Sequence, residues 1–473
     1  MTMRRTILLA ASLLLATTVF AGTGKVLVIN SDAPGVGFND PTPVTPVGGN
    51  QGTTLGEQRY NVYLKAAERW SDVLDTSVDI RVRGGFLPLE CTATAGVLGQ
   101  TSVVTWSSNF AGAPRANIWY PSALANKFAG VDIEPTRDDM VIQFNSKIGA
   151  ANCLADQTWY YGFDNNAGDR ESFFHVVLHE MGHGLGISSR GTTDFFMNQP
   201  SVFDLHTLDV TAGLHWDQMS VAQRNASLTN NGNVVWDGEN VNNRASQYLQ
   251  AATVFSVSQP SSATRDYGFG TAAFGPSAFS ALLDGRVVAG TDDVNEEGPA
   301  ATDGCTAFTN AASLAGNIAL VDRGTCPFVQ KARNAQAAGA TGLIIVDNAP
   351  ACAPPGMGGS AEDVLIPVIS VRQDDGAVLR AQIAQNGDTR GLMHVDPSRR
   401  AGTAGQGYVR LYAPCEFSAG SSKHHWDTTA SPNLLMEPFI NGDLLDNLDL
   451  SIYQLLDMGW TLPPRTGRRF LKR

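Results

Sequence analysis

The chain has 473 residues, 43% of them hydrophobic and 16% charged, with a formal net charge of −12. That length suits two or three domains, and the apolar fraction suits folded rather than disordered chain. The acidic balance argues against nucleic-acid binding as a main role, because phosphate contacts need a basic surface, and it reads most simply as solubility.

In chain order, the first expected element is an export signal over residues 1–21. Arg4 and Arg5 form a charged start, Ile7 to Phe20 is an apolar run, and Val19-Phe20-Ala21 supplies a small-residue cleavage pattern. A membrane anchor is the alternative, but the run is short for a span of about 20 residues. No other stretch is long and apolar enough to cross a bilayer. The mature chain is therefore expected to be secreted, extracellular or periplasmic, with a charge of about −14 once Arg4 and Arg5 leave. Six cysteines fit that compartment, and an even number in an exported chain suggests disulfides. Six cysteines allow 15 pairings, among which sequence alone does not choose; Cys91 with Cys153 and Cys305 with Cys326 are candidate local pairs, which would leave Cys352 with Cys415. A cysteine metal site is disfavoured because no C-x-x-C pair exists.

Val26 to Ile29 reads as a short strand, and Gly35 to Thr53 as loop. Tyr60, Tyr63, Leu64, Ala67, Trp70 and Leu74 recur at helical spacing. Val78, Ile80 and Val82 alternate as a strand, and Met140 to Phe144 is another. A helix is predicted from about Glu171 to Leu185, with Asp169 as its cap and Gly184 and Gly186 at its end. Residues 191–260 are polar and turn-rich. Beyond them Asn317 to Val321, Leu343 to Val346 and Pro367 to Val371 read as buried strands. A helix opened by Pro327 and closed by Gly339 follows the first of these. The last nine residues, 465–473, form a basic, solvated tail.

The strongest local signal is His179-Glu180-Met181-Gly182-His183, an H-E-x-x-H pattern on the predicted helix. Residues four apart share one helix face, so two imidazoles so placed can reach one Zn²⁺. Glu180 then sits where it can take a proton from the water that zinc acidifies, as general base. A chance match on a surface helix is the competing reading. The apolar run Phe173, Phe174, Val176, Val177 and Leu178 argues for a buried helix instead, and Gly182 leaves room for another element to approach. His175 lies one turn earlier. With a rise of about 5.4 Å per turn, three successive turns cannot converge on one ion, so it is read as a helix-face histidine.

A catalytic zinc needs a third protein ligand. The run from His179 to Gly186 resembles the metzincin motif H-E-x-x-H-x-x-G-x-x-H, but Ser189 stands at its last position. Far downstream lie His425-Trp426-Asp427 and then Asn433-Leu434-Leu435-Met436-Glu437-Pro438. This pattern resembles the leishmanolysin-like metzincins, whose third histidine follows an insertion and is paired with a Trp and a Met-turn. The resemblance implies His179, His183 and His425 as zinc ligands, Glu180 as catalytic residue, and Met436 as an apolar floor. His424 competes by one register step. His215-Trp216-Asp217 repeats the tripeptide nearer the helix but is followed by no Met-turn. His206, Asp194, Asp204 and Asp209 remain as further candidates, and His394 reads as structural.

Asn317-Ile318-Ala319-Leu320-Val321-Asp322-Arg323-Gly324-Thr325-Cys326-Pro327-Phe328, with Ile366-Pro367-Val368-Ile369-Ser370, resembles the protease-associated (PA) domain. Such a domain is implied to gate substrate access or to contact a partner protein; a rigid spacer is the plain alternative. The expected architecture is an α/β (α+β) zincin/metzincin-like catalytic domain, discontinuous over 22–266 and 398–464, with an inserted PA domain of mixed α/β type at 267–397. The expected function is a secreted zinc endopeptidase acting on protein or peptide substrates. The alternatives are a PA-domain binding protein on a degenerate zincin fold, and a metallohydrolase of non-peptide substrates. The intact Glu180 argues against the first of these.

Overall fold

A computed structural model describes residues 24–192, 198–277, 282–296, 298–386, 388–440 and 444–464. The expected export signal, the basic tail and Asp194 lie outside them. The chain divides into two compact units, residues 1–114, 121–177 and 459–473, and residues 115–120 and 178–458.

The first unit is built on a four-stranded sheet. Val26–Asn30, Ile80–Leu87 and Met140–Asn145 run parallel in that order, and Gly99–Val103 closes the edge antiparallel to Met140–Asn145. Leu55–Ser71 is a helix that starts with a reciprocal cap. Thr54 Oγ1 accepts from the Glu57 amide at 3.2 Å, and the Glu57 carboxylate accepts from the Thr54 amide at 3.1 Å. Its buried face is Val62, Tyr63, Ala66, Ala67 and Trp70, while Leu64 is 45% exposed. The predicted apolar stripe is thus shifted by part of a turn, because a lone Leu at helical spacing does not fix which face meets the sheet.

Phe38, Tyr63, Phe86, Phe144 and Phe173 form a joined aromatic core, with Phe144 and Phe173 ring centroids 4.8 Å apart. Phe173 is the first residue of the helix Phe173–Leu185, whose residues from Leu178 onward belong to the second unit. The cap is not Asp169, which lies in a turn before the helix. Ser172 takes that place, its hydroxyl accepting from the His175 amide at 3.4 Å.

In the second unit, residues 191–260 hold more order than their polarity suggests. Leu214–His215, Thr207–Asp209, Val234–Trp236 and Val409–Arg410 form one small antiparallel sheet in that order. It joins chain from both sides of the inserted block. The carboxylate of Asp457, at the end of the helix Asp449–Asp457, accepts from Trp236 Nε1 at 2.9 Å and from the Asn240 amide at 2.8 Å.

The inserted block carries its own eight-stranded sheet. Asp284–Ala289, Ile318–Asp322, Gly342–Val346 and Val368–Val371 run parallel at its centre. Parallel strands covered on both faces must be apolar throughout. Ile318 to Val321 and Leu343 to Val346 are all buried, and Ala332 and Ala335 of the helix Phe328–Ala337 pack on one face. The long strands Ala251–Gln259 and Arg390–Arg400 pair antiparallel beside this core, from Ala251 opposite Arg400. The Ala401 amide donates to the Gln250 carbonyl at 3.0 Å, so the chain enters and leaves the block side by side. The sheet therefore reaches beyond 267–397 on both sides. The strand Ala251–Gln259 leaves only a weak sequence signal because it is half-buried and follows a turn-rich stretch. The disulfides are Cys91–Cys153, Cys305–Cys326 and Cys352–Cys415.

Candidate metal centre

The helix Phe173–Leu185 places His179 and His183 one turn apart on one face. It ends at Gly186, whose φ of +132° suits glycine, and there the chain turns back on itself. The Ile187 amide donates to the Gly182 carbonyl at 3.1 Å, closing that turn. The same turn points the Ile187 carbonyl at His183, whose Nδ1 donates to it at 2.6 Å.

His425 arrives from the far side of the inserted block. Its carbonyl accepts from the Tyr412 amide at 2.8 Å, and the next residue, Trp426, donates its amide to the Met436 carbonyl at 2.8 Å. His425 Nδ1 donates to the Ser421 carbonyl at 2.9 Å. His179 Nδ1 donates to the Leu435 carbonyl, beside Met436, at 2.6 Å. Each ring thus spends its Nδ1 proton on a backbone carbonyl, which leaves all three Nε2 atoms as bare acceptors.

Those Nε2 atoms converge. His179 and His183 are 3.1 Å apart, and each is 3.2 Å from His425. Burial pushes the ring pKa of His179 down to about 3 and of His183 to about 4, and it drives His425 well below the usual imidazole range. Three neutral rings with three inward lone pairs have no proton to share, so this contact is repulsive unless a cation fills it. Ligands about 2.05 Å from a tetrahedral ion stand roughly 3.3 Å apart, close to the spacing observed. Among the described residues, these three form the group able to hold a metal ion. A carboxylate, backbone carbonyl or water on the outer ring nitrogen is what orients histidine ligands in general, and here all three are carbonyls.

Gly182 has a physical reason here. A Cβ on it would lie 2.8 Å from Sδ of the fully buried Met436, so glycine lets that side chain pack against the helix where a larger residue would make it shift. Glu180, next to His179, is buried.

The other candidates go elsewhere. His424 turns its ring toward Phe203, 6.1 Å between centroids, and its Nε2 is buried without a hydrogen-bond partner. His215 meets Asp237 at 2.5 Å from Nε2, with His206 on the same carboxylate at 3.7 Å. Asp209 accepts from the Thr211 and Ala212 amides in a turn. His394 lies on the strand Arg390–Arg400 of the inserted block, and His175 is buried in the first unit.

Asp204 has a different role. Its carboxylate accepts from Ser189 Oγ, from the amide and hydroxyl of Ser201, and from Lys423 Nζ. Burial pushes its pKa up, but Lys423 and the other donors outweigh that and hold it below the usual carboxylate range. Lys423 was not legible in the sequence, since a lone Lys before a His-His pair carries no spacing signal.

Comparison with known proteins matches residues 284–379 to the PA domain family. The chain is 39% identical over 84 residues to ER degradation-enhancing alpha-mannosidase-like protein 3 of Xenopus laevis, which covers 16% of this chain and 9% of that protein. It is 48% identical over 69 residues to the probable lipoprotein aminopeptidase LpqL of Mycobacterium tuberculosis, covering 15% of this chain and 14% of the relative. The chain thus spans a small part of the length of these curated relatives. Among solved structures it is similar to BSAP, a zinc aminopeptidase from Bacillus subtilis, with 20% identity, a TM-score of 0.21, and coverage of 37% of this chain and 38% of that one.

Proposed function

We propose that this chain is a secreted zinc-dependent endopeptidase of the leishmanolysin-like metzincin type, with an inserted PA domain. The observation that carries the reading is the triangle of Nε2 atoms, each within 3.2 Å of the next and each backed by a carbonyl on Nδ1. His179, His183 and His425 are the residues that would hold zinc. When bound, zinc supplies Lewis acidity to a substrate carbonyl and lowers the pKa of water.

The chain's own groups then have defined tasks. Glu180 accepts the proton of the attacking water and passes it to the departing amine, so no Ser or Cys nucleophile is needed. The Leu435, Ile187 and Ser421 carbonyls fix the tautomer and aim of the rings. Met436 fills the space beneath them with apolar, adaptable bulk. None of these residues lies between 251 and 400, so the PA domain is given a part in substrate access or partner contact rather than in chemistry. Three disulfides suit an oxidising compartment, and no described helix is long and apolar enough to cross a membrane.

The test is cleavage of casein and of short peptides with free and blocked N-termini, beside zinc analysis and a Glu180→Ala variant. One zinc per chain with cleavage of blocked peptides supports the proposal. Cleavage confined to free N-termini would instead favour an aminopeptidase, the activity named for two of the similar proteins. Full activity in Glu180→Ala would remove that residue from the reaction.

A further inference from the structure

The third ligand joins a site whose other two ligands lie on a distant helix, and something must hold its loop in register. We propose that the buried Asp204–Lys423 ion pair is the positioning device that sets His425 against His179 and His183; this rests on the metal site proposed above.

Lys423 stands two residues before His425 and is fully buried, with Asp204 almost equally so. Its backbone takes the left-handed conformation, φ +62°, which a lysine adopts only under constraint. That conformation goes with an amide that donates to the Tyr412 carbonyl at 2.6 Å, and the amide of the same Tyr412 donates to the His425 carbonyl. The ammonium meets Asp204 and lies 3.5 Å from the centroid of Trp216. The first His-Trp-Asp tripeptide thus gives its tryptophan to the loop of the second.

The other bonds of Asp204 complete the device. Ser189 donates its hydroxyl to Asp204 Oδ1 at 2.7 Å, and Ser189 is reached directly from the turn after His183. The Ser201 amide and hydroxyl fill Oδ2 at 2.7 and 2.8 Å. One carboxylate therefore ties the exit of the metal helix to the loop that delivers His425. A buried pair of this kind adds little net stability over an apolar substitute, so its value lies in specifying geometry.

The experiment measures zinc affinity by chelator competition, the visible spectrum of the cobalt-substituted protein, and melting of the metal-free chain. The variants are Lys423→Met, Ser189→Ala and the double Asp204→Asn/Lys423→Met, with Leu320→Ala in the PA core as a control. The double variant removes both charges, so the metal-free chain is expected to melt near the wild-type temperature. Its zinc affinity is expected to fall by about 10–100-fold, as for other residues that orient ligands, with an altered cobalt spectrum. Ser189→Ala, which leaves the pair intact, is expected to lose roughly two- to fivefold. Leu320→Ala is expected to lower melting and leave affinity unchanged. Wild-type affinity in the double variant would overturn the proposal, and so would affinity that merely tracks melting in Leu320→Ala. Absence of zinc binding in the wild-type chain would instead overturn the metal site itself.

Discussion

The same tripeptide occurs twice in this molecule, and the two copies do different things. Both tryptophans, Trp216 and Trp426, are fully buried. His215 is partly exposed, and its Nε2 is taken by Asp237. His425 is buried, its Nδ1 is taken by a backbone carbonyl, and its Nε2 is left facing two other rings. Asp427 is buried and accepts from the Thr429 amide at 3.0 Å, where Asp217 is only half-buried. A histidine is set up to bind a metal when its outer nitrogen is held by an acceptor and its inner one faces no partner, which is the arrangement at His425 and not at His215. A carboxylate on Nε2 makes the other copy an ordinary surface pair.

The largest expected effect lies with neither histidine and tests whether the converged site is catalytic. Glu180→Gln should lower peptidase kcat by about 10²–10⁴-fold while retaining zinc, measured by single-turnover assay and metal analysis. Next, His425→Ala should weaken zinc binding by more than about a hundredfold, beyond the loss typical of supporting residues, and His215→Ala should leave it unchanged. Equal losses in both would end the distinction between the two histidines.

Two pH experiments sharpen the comparison from the sides of the two copies. Behind the His425 copy, burial pushes the Glu437 carboxyl up to about 8, and its Oε2 has no hydrogen-bond partner. Its folded pKa exceeds the unfolded one, so the folded state binds the extra proton between them. The stability tied to its neutral form is whole below the unfolded value of 4.5 and drains away as pH rises toward 8. Glu437→Gln should therefore stabilise the chain increasingly from pH 5 to 8, by on the order of 1 kcal/mol or more, read from denaturant melts. Beside the His215 copy the sign reverses. Burial raises the Asp237 pKa, but bonds to His206 and His215 outweigh it and leave it below 3.8. Its stabilising effect is present above that value and lost as pH falls through the lower folded pKa. Asp237→Asn should cost about 0.5–1 kcal/mol at neutral pH, as for a partly exposed pair, and nothing in strong acid.

Legibility followed the range of the interactions. His179 and His183 announced themselves because one helical turn fixes their relation, whatever else the chain does. The central strands of the PA domain were equally plain, since a parallel strand covered on both faces must be apolar along its length. Ser172 as cap escaped, because Asp169 offers the same chemistry and only the helix start decides between them. The strand Ala251–Gln259 escaped because half-buried strands alternate weakly. Asp204 reads in the sequence as a possible ligand, but its work as partner to Lys423 depends on a contact across more than two hundred residues.

By itself the sequence determined the local parts: a two-histidine helix with Glu180 on it, a Gly182 that leaves space, a PA-like string, and cysteines whose segments suggested their pairs. The tertiary structure decided which distant histidine turns inward, because that choice belongs to the Ser421 carbonyl on the outer nitrogen of His425 and to a buried charge pair two residues before it. Helical periodicity acts over a few residues and is written in their order. The direction of a lone imidazole is set by whatever the fold places against its other nitrogen, and no spacing in the chain records that.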